Sequence, residues 1–578
     1  MEKKQIRRLT YLSVVFVLLM VVFIIRLLDR QVLRREQYTA KAQKQYYAEI
    51  EQPAKRGKIY IKDSQSESVI GEDAGIFPVA TDLELFDILV TPKNVKDKND
   101  AADKLSSILE LDRNELFEKI NNDKPYLPPI KKRVSKQIAD QVEGLEISGV
   151  ATEAKYSRFY PENDFMSHIL GFVDFEGRGR YGVEEYYDGV LKGEGGTLKG
   201  LKDNTGKVIK VEESVLGKDG ASLVLTIDRS IQYVAEKKLK EGIERYGAKG
   251  GSIIIADPKT GGILAMASSP SYNPNTFNEI ASDQQGIFLN PAISLNWEPG
   301  SIFKPIIVSA AICEKKVDVD TKPTTQEGGF SNMVEVDGYE IHNALDKPYG
   351  YETVTQILEN SDNVGMVWVA NKVGNELLGG YLNKYGFGGK TGIDLAGEAS
   401  GQVSPAKKWR DVNRATISFG QGISTTPIQM VASFSAIANS GKMVKPHVLS
   451  EIIEGDGTKK QAENSEAKEI ISQEDAQKMV SMLVSVVENG HGKKAAVEGF
   501  KVAGKTGTAQ IPKTQGGYEE DDHIGSFIGF APADDAKFVM LVKFDRPANV
   551  EWAESSAAPI FGEIADWLLN SYLKVSKN

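Results

Sequence analysis

The stretch EPGSIFKPIIVSAAI (Glu298–Ile312) decides how this chain is read. A Pro-Gly pair leads into it, Ser301 stands at the start of a helix, and an apolar run follows. Lys304 comes one helical turn after Ser301 and on the same face. A lysine so placed can take the hydroxyl proton of a serine, provided its amine is neutral. A serine at a helix start also gains from the unpaired backbone N–H groups there. The pattern S-x-x-K is weak by itself, because the chain carries it four times, at Ser301–Lys304, Ser404–Lys407, Ser465–Lys468 and Ser571–Lys574. The rest of the sequence has to choose among them.

Order makes the choice. Serine acyl-transfer chemistry of this type needs S-x-x-K, then a Ser-x-Asn, then a Lys-Thr-Gly strand. The one Ser-Asp-Asn is Ser361–Asn363, and of the four serines only Ser301 precedes it. Context agrees: Ser465 lies in the charged stretch KKQAENSEAKE, and Ser404 is followed by a proline. Lys-Thr-Gly occurs three times, at Lys259–Gly261, Lys390–Gly392 and Lys505–Gly507. The first sits between two apolar runs in GSIIIADPKTGGILAMAS, which is hairpin-turn chemistry, so Lys259 is expected in water. The second, GFGGKTGIDLAGE, is glycine-dense and reads as loop. The third, FKVAGKTGTAQ, has apolar residues before it and a hairpin, SFIGFAPADDAKFVMLVKF, after it. It is the copy expected on a strand beside Ser301.

A chain of 578 residues is too long for one ordinary core, so two or more domains are expected. Its net charge of −10 argues against nucleic acid as the main partner. The single cysteine, Cys313, excludes an intrachain disulfide and reads as a small buried hydrophobe. The five histidines are scattered without metal-ligand spacing, so neither a metal nor a cofactor is expected. The start is basic (Lys3, Lys4, Arg7, Arg8), and Leu9–Ile25 is then uncharged. With no small-residue cleavage site after it, this reads as an uncleaved membrane anchor whose basic end stays in the cytoplasm. The expected organisation is a cytoplasmic tail (1–8), an anchor (9–28), a non-catalytic pedestal (29–218) and a catalytic domain (219–575). Gln31–Glu51 reads as a polar, helix-prone stalk, and Arg56–Ser64 as a strand. Asp103–Ile120 shows helical spacing, and Gly171–Gly196 reads as loops with a short helix. From Ala221 the order is strands, a long helical middle, then strands again. Such an α+β domain must bring its two ends into one antiparallel sheet.

EPGSIFKP, SDN and GKTGTAQ resemble the active-site motifs of penicillin-binding proteins. The anchor, RGKIYIKDS, SRFYP (Ser157–Pro161), YGVEEYYDGVLKGEGG, LTIDRSIQ and SPSYNPN (Ser269–Asn275) resemble the monofunctional class B subfamily, the division type more than the elongation type. RGKIYIKDS departs from the family's RGxIxDRxG, with Asp63 two positions later than the pattern's aspartate. The resemblance implies a penicillin-binding, serine β-lactamase-like fold: a five-stranded antiparallel sheet with helices on both sides and an all-helical subdomain, on a mixed α/β pedestal. It implies a D,D-transpeptidase that cross-links peptidoglycan stem peptides outside the cytoplasmic membrane, with β-lactams as covalent inhibitors. Ser301 is then the nucleophile, Lys304 its base and Ser361 the proton relay. Asn363 binds the substrate amide, and Lys505, Thr506 and Thr508, with Gly507 between them, bind its terminal carboxylate. The backbone N–H groups of Ser301 and Thr508 form the oxyanion hole. A membrane polymerase of the SEDS type is the implied partner. The rivals are a β-lactamase, a D,D-carboxypeptidase and a non-enzymatic scaffold. The first lacks an anchor and pedestal, the second differs only in its acceptor, and the third would not need an intact motif set.

Overall fold

The computed structural model describes residues 3–39, 47–52, 54–63, 75–202, 208–463, 465–513 and 516–577. The chain divides into two compact units, residues 1–55 with 193–220 and residues 56–192 with 221–578. In the first unit, helix α1 (Lys3–Leu28) carries the apolar run Leu9–Ile25, which is exposed throughout. Among the described residues it belongs to the one helix long and apolar enough to cross a membrane. The expected polar stalk is helical at residues 35–39, and residues 40–46 lie outside the described residues. Tyr47–Gln52 is not helical. It is a strand paired antiparallel with Gly196–Lys202, which in turn pairs with Val208–Val215. Pairing with a distant segment decides this stretch over its local helix propensity.

In the second unit, Ile59–Lys62 forms the strand expected of RGKIYIKDS. It pairs antiparallel with the long strand Ile76–Val90 and parallel with Ser222–Asp228. The resulting seven-stranded sheet runs from Lys459–Gln461 and Leu449–Ile453 through these strands to Lys131–Val134, with Val150–Phe159 also on Ile76–Val90. It therefore draws strands from both sides of residue 218. The helical spacing at Asp103–Ile120 resolves into two helices, Lys98–Leu109 and Arg113–Ile120. Glu110 breaks them in a left-handed conformation, and the Asp112 carboxylate caps the second by accepting from Glu115 N. Leu105, Leu109, Leu116 and Ile120 still share one buried cluster.

Helix α2 (Arg229–Tyr246) follows directly from Asp228, whose carboxylate accepts from the N–H groups of Ser230 and Ile231. It ends at Gly247, left-handed as a helix stop requires. The central sheet is antiparallel throughout: β1 (Gly250–Ala256), β2 (Ile263–Ser269), β3 (Ala503–Pro512), β4 (Tyr518–Ala531) and β5 (Phe538–Asp545), in the order β2-β1-β5-β4-β3. Strands from 250–269 and 503–545, at the two ends of this part of the chain, thus meet in one sheet. The strands alternate between two buried faces, as period-two geometry demands. Ile253, Ile255, Met540 and Val542 pack with α2 and with Ile560, Phe561 and Ile564 of the C-terminal helix. Ile254, Ile528, Phe530 and Leu541 face the helical middle. That middle includes α3 (Lys304–Cys313), α4 (Asn363–Val373), α5 (Pro427–Ala438) and α6 (Gln473–Glu488). In α3 every residue from Lys304 to Ile312 is buried. Burying each of Ile306, Ile307, Val308 and Ile312 contributes roughly 1.5–3 kcal/mol, so this helix is fixed in the core. Cys313, at its end, is half-buried rather than fully enclosed.

Candidate active site

Ser301 occupies a tight turn, Gly300–Phe303, that runs straight into α3. Two glycine contacts set where that turn sits. Gly420 (φ +79°) donates no side chain, and a Cβ there would lie 2.2 Å from Gly300 O, while its carbonyl accepts from Gly300 N at 3.1 Å. On the other side, a Cβ at Gly507 would meet Ile302 Cγ2 and Ser526 Oγ, each at 2.9 Å. Glycine at 507 therefore lets the edge strand β3 lie directly against the Ser301 turn.

Lys304 projects from the first turn of α3 and is fully buried. Its Nζ donates to Ser361 O at 2.6 Å, to Ser361 Oγ at 3.1 Å and to Asn363 Oδ1 at 2.8 Å. Lys505, also fully buried, reaches the same serine from β3: its Nζ donates to Ser361 Oγ at 3.1 Å and to Thr506 O at 3.2 Å. Ser361 is thus the point where two lysines from opposite walls meet. It is held there with φ +53°, a conformation that costs a non-glycine residue of order 1 kcal/mol or more. Ser301 itself shares no hydrogen bond with Lys304; the amine's three bonds go to Ser361 and Asn363. Thr506 is buried beside Lys505, and Thr508 Oγ1 accepts from Ala553 N at 3.1 Å.

The electrostatics follow from burial. Desolvation pushes the Lys304 ammonium well below the ordinary lysine range, and the charge of Lys505 pushes the same way, opposed by the Asp362 carboxylate. Burial brings Lys505 down to about 7. Asp362 is fully buried and makes no hydrogen bond of good geometry. Burial raises its pKa, while the Gly365 N–H and Lys304 pull it back. A cluster of this kind can hold one lysine neutral at moderate pH and pass a proton through a hydroxyl.

The other Lys-Thr-Gly copies lie elsewhere. Lys259 is 51 % exposed at the β1–β2 turn and pairs with Asp535 of the β4–β5 turn, so it is not simply solvated. Lys390 is exposed in a loop whose Thr391 N and Oγ1 both donate to Glu398 at 2.6 Å. Sequence reasoning missed His342 and Asn343. The His342 carbonyl accepts from Asn363 Nδ2 at 2.9 Å, and Asn343 Oδ1 accepts from the N–H groups of Asn363 and Val364 at 3.0 and 3.2 Å. IHNALD carries no motif that marks them.

Residues 251–566 match the penicillin binding protein transpeptidase domain, and residues 51–225 match the penicillin-binding protein dimerisation domain. The chain is 35% identical to Stage V sporulation protein D of Bacillus subtilis over 494 residues, 84% of this chain and 75% of that protein. It is 30% identical to peptidoglycan D,D-transpeptidase FtsI of Buchnera aphidicola, over 85% of this chain and 84% of that one. Among solved structures, penicillin binding protein 3 of Mycobacterium tuberculosis complexed with aztreonam superposes with a TM-score of 0.69 at 26% identity, over 92% of this chain and 98% of that chain. Penicillin Binding Protein 2X of Streptococcus thermophilus shares the fold, with a TM-score of 0.76 at 24% identity, over 91% of this chain and 81% of that one. A transpeptidase match over more than half of the sequence, preceded by the dimerisation-type match, places this chain in the class B penicillin-binding proteins.

Proposed function

We propose that this protein is a membrane-anchored serine D,D-transpeptidase that cross-links peptidoglycan stem peptides, and that Ser301 carries the acyl group. The observation that supports it most is the buried Lys304–Ser361–Lys505 cluster beside the Ser301 turn. Ser301 Oγ attacks the carbonyl carbon of the penultimate D-Ala, and its proton passes to neutral Lys304. The N–H groups of Ser301 and Thr508 stabilise the oxyanion. The C–N bond then breaks, and the departing D-Ala amine receives its proton through Ser361. An acceptor amine attacks the resulting ester, gives up a proton through the same relay, and frees Ser301. Asn363 presents its Oδ1 to Lys304 and one amide hydrogen to His342 O, which leaves the second hydrogen for the substrate amide. Lys505, Thr506 and Thr508 receive the terminal carboxylate, and Gly507 keeps their strand close.

The chain is read as an anchor at residues 9–28, a pedestal at 29–218 and a transpeptidase domain at 219–575. Lys3, Lys4, Arg7 and Arg8 favour a cytoplasmic N-terminus, which leaves the catalytic domain outside the membrane. Septal wall synthesis and a SEDS-type polymerase partner are carried by family resemblance. The test supplies a donor ending in D-Ala-D-Ala, with and without an amine acceptor. Cross-linked product with release of one D-Ala supports the reading. Release of D-Ala by water alone, with acceptor present, means a carboxypeptidase.

A further inference from the structure

We infer that Asn343, which follows the hairpin Met333–Val336/Tyr339–His342, is a positioning residue for Asn363 and through it for Lys304. The inference rests on the reading of Ser301, Lys304 and Asn363 given above. The N-terminus of α4 needs a cap, because its first N–H groups have no partner within the helix. Asp362 stands at the cap position, yet its side chain makes no cap hydrogen bond. Asn343, twenty residues upstream, does so instead: its Oδ1 accepts from Asn363 N and Val364 N. Its own amide donates to Ser331 O and Lys347 O, both at 3.2 Å, so every strong hydrogen-bonding atom of that side chain is engaged. Asn343 is 3 % exposed, although Leu345 and Tyr339 nearby are about half exposed.

The neighbouring His342 carbonyl completes the arrangement. By accepting from Asn363 Nδ2, it orients the Asn363 amide so that Oδ1 faces Lys304 and accepts from its amine. The dipeptide His342–Asn343 therefore holds both the backbone and the amide orientation of Asn363. A shift of that amide moves an acceptor away from Lys304 and a donor away from the substrate.

The test is the second-order rate of acylation of the full-length, detergent-solubilised protein by a fluorescent penicillin. It is read below the melting temperature of each variant. Asn343→Ala is expected to slow acylation roughly ten- to a hundredfold, as displacement of a catalytic group does. In an Asn363→Ala background the same change should cost less than about threefold, because the group it positions is already gone. Asn332→Ala, which removes a bond to Asp346 in the same loop, should leave the rate unchanged. An Asn343→Ala protein with the wild-type rate, or with equal losses in both backgrounds, overturns the inference. If Asn343→Ala does not fold, Asn343→Asp decides. Its carboxylate keeps an acceptor at α4 and, beside the buried Asp362 carboxylate, adds negative charge near Lys304, so the acid limb of the acylation profile should move to higher pH. An unmoved limb overturns the inference. Wild-type protein that is not acylated, or a Ser301→Ala variant that still is, overturns the underlying reading instead.

Discussion

Lys505→Ala is the most revealing substitution, with Lys259→Ala and Lys390→Ala as its internal comparisons. The three lysines share one tripeptide and differ only in surroundings. Lys259 holds an exposed pair with Asp535, and such pairs contribute about 0–1 kcal/mol, so its removal should leave acylation unchanged. Lys390 is exposed in a loop fixed by Thr391 and Glu398, and its loss should be equally silent. Lys505 is fully buried, and its ammonium bonds Ser361 Oγ. Its removal takes away a preorganised donor, an effect that typically slows the chemical step by roughly 10²–10³, or about 2.7–4 kcal/mol. It also removes the positive charge that helps hold Lys304 down, so the Lys304 pKa rises. In the proposed mechanism the reacting form is the neutral amine, and therefore the acid limb of the acylation profile should move to higher pH. The assay is the acylation rate by one penicillin across pH, with melting temperatures as a folding control. Equal rates in all three variants, or the largest loss at Lys259 or Lys390, would refute the choice of strand.

Gly507→Ala places a methyl 2.9 Å from Ile302 Cγ2, so it should push β3 off the Ser301 turn and slow acylation more than tenfold, at a packing cost of roughly 1–3 kcal/mol. A wild-type acylation rate would show that this close approach does not matter. Asp362→Asn removes the carboxylate that raises the Lys304 pKa, so the acid limb should move to lower pH, opposite to Lys505→Ala; a shift in the same direction for both would contradict the electrostatic account. His168 is buried and held down to about 4 from an ordinary 6.5. Because the folded pKa is depressed, the unfolded chain binds the extra proton between those values, and stability is lost as pH falls from 6.5 to 4. Relative to His168→Gln, the wild type should lose up to about 3 kcal/mol over that window in chemical denaturation, and parallel curves would dismiss the effect.

Much of the fold was legible because several elements carry their own start and stop signals. Asp228 and Gly247 bracket α2. Asp-Pro-Lys-Thr-Gly-Gly and Pro-Ala-Asp-Asp mark the two hairpin turns of the central sheet. The order of Ser301, Ser361–Asn363 and Lys505 selected side chains of which four, Lys304, Ser361, Asn363 and Lys505, are joined by hydrogen bonds. What stayed hidden depends on long-range pairing. Tyr47–Gln52 is polar and helix-prone, and it becomes a strand because Gly196–Lys202 lies beside it. The apolar spacing at Asp103–Ile120 is helical, but the break at Glu110 leaves no mark on that period. Asn343 could not be found because its role comes from an acceptor reaching a helix twenty residues away. Nor does a sequence show that Ser361 sits at φ +53° with both its carbonyl and its hydroxyl accepting from Lys304.

The most direct measurement is the site of covalent attachment. The full-length protein is labelled with a fluorescent penicillin, digested, and the modified peptide sequenced by mass spectrometry. The account predicts one label, on Ser301 within EPGSIFKP, and none on folded Ser301→Ala. A label on Ser404, Ser465 or Ser571, or an undiminished signal from Ser301→Ala, would contradict it.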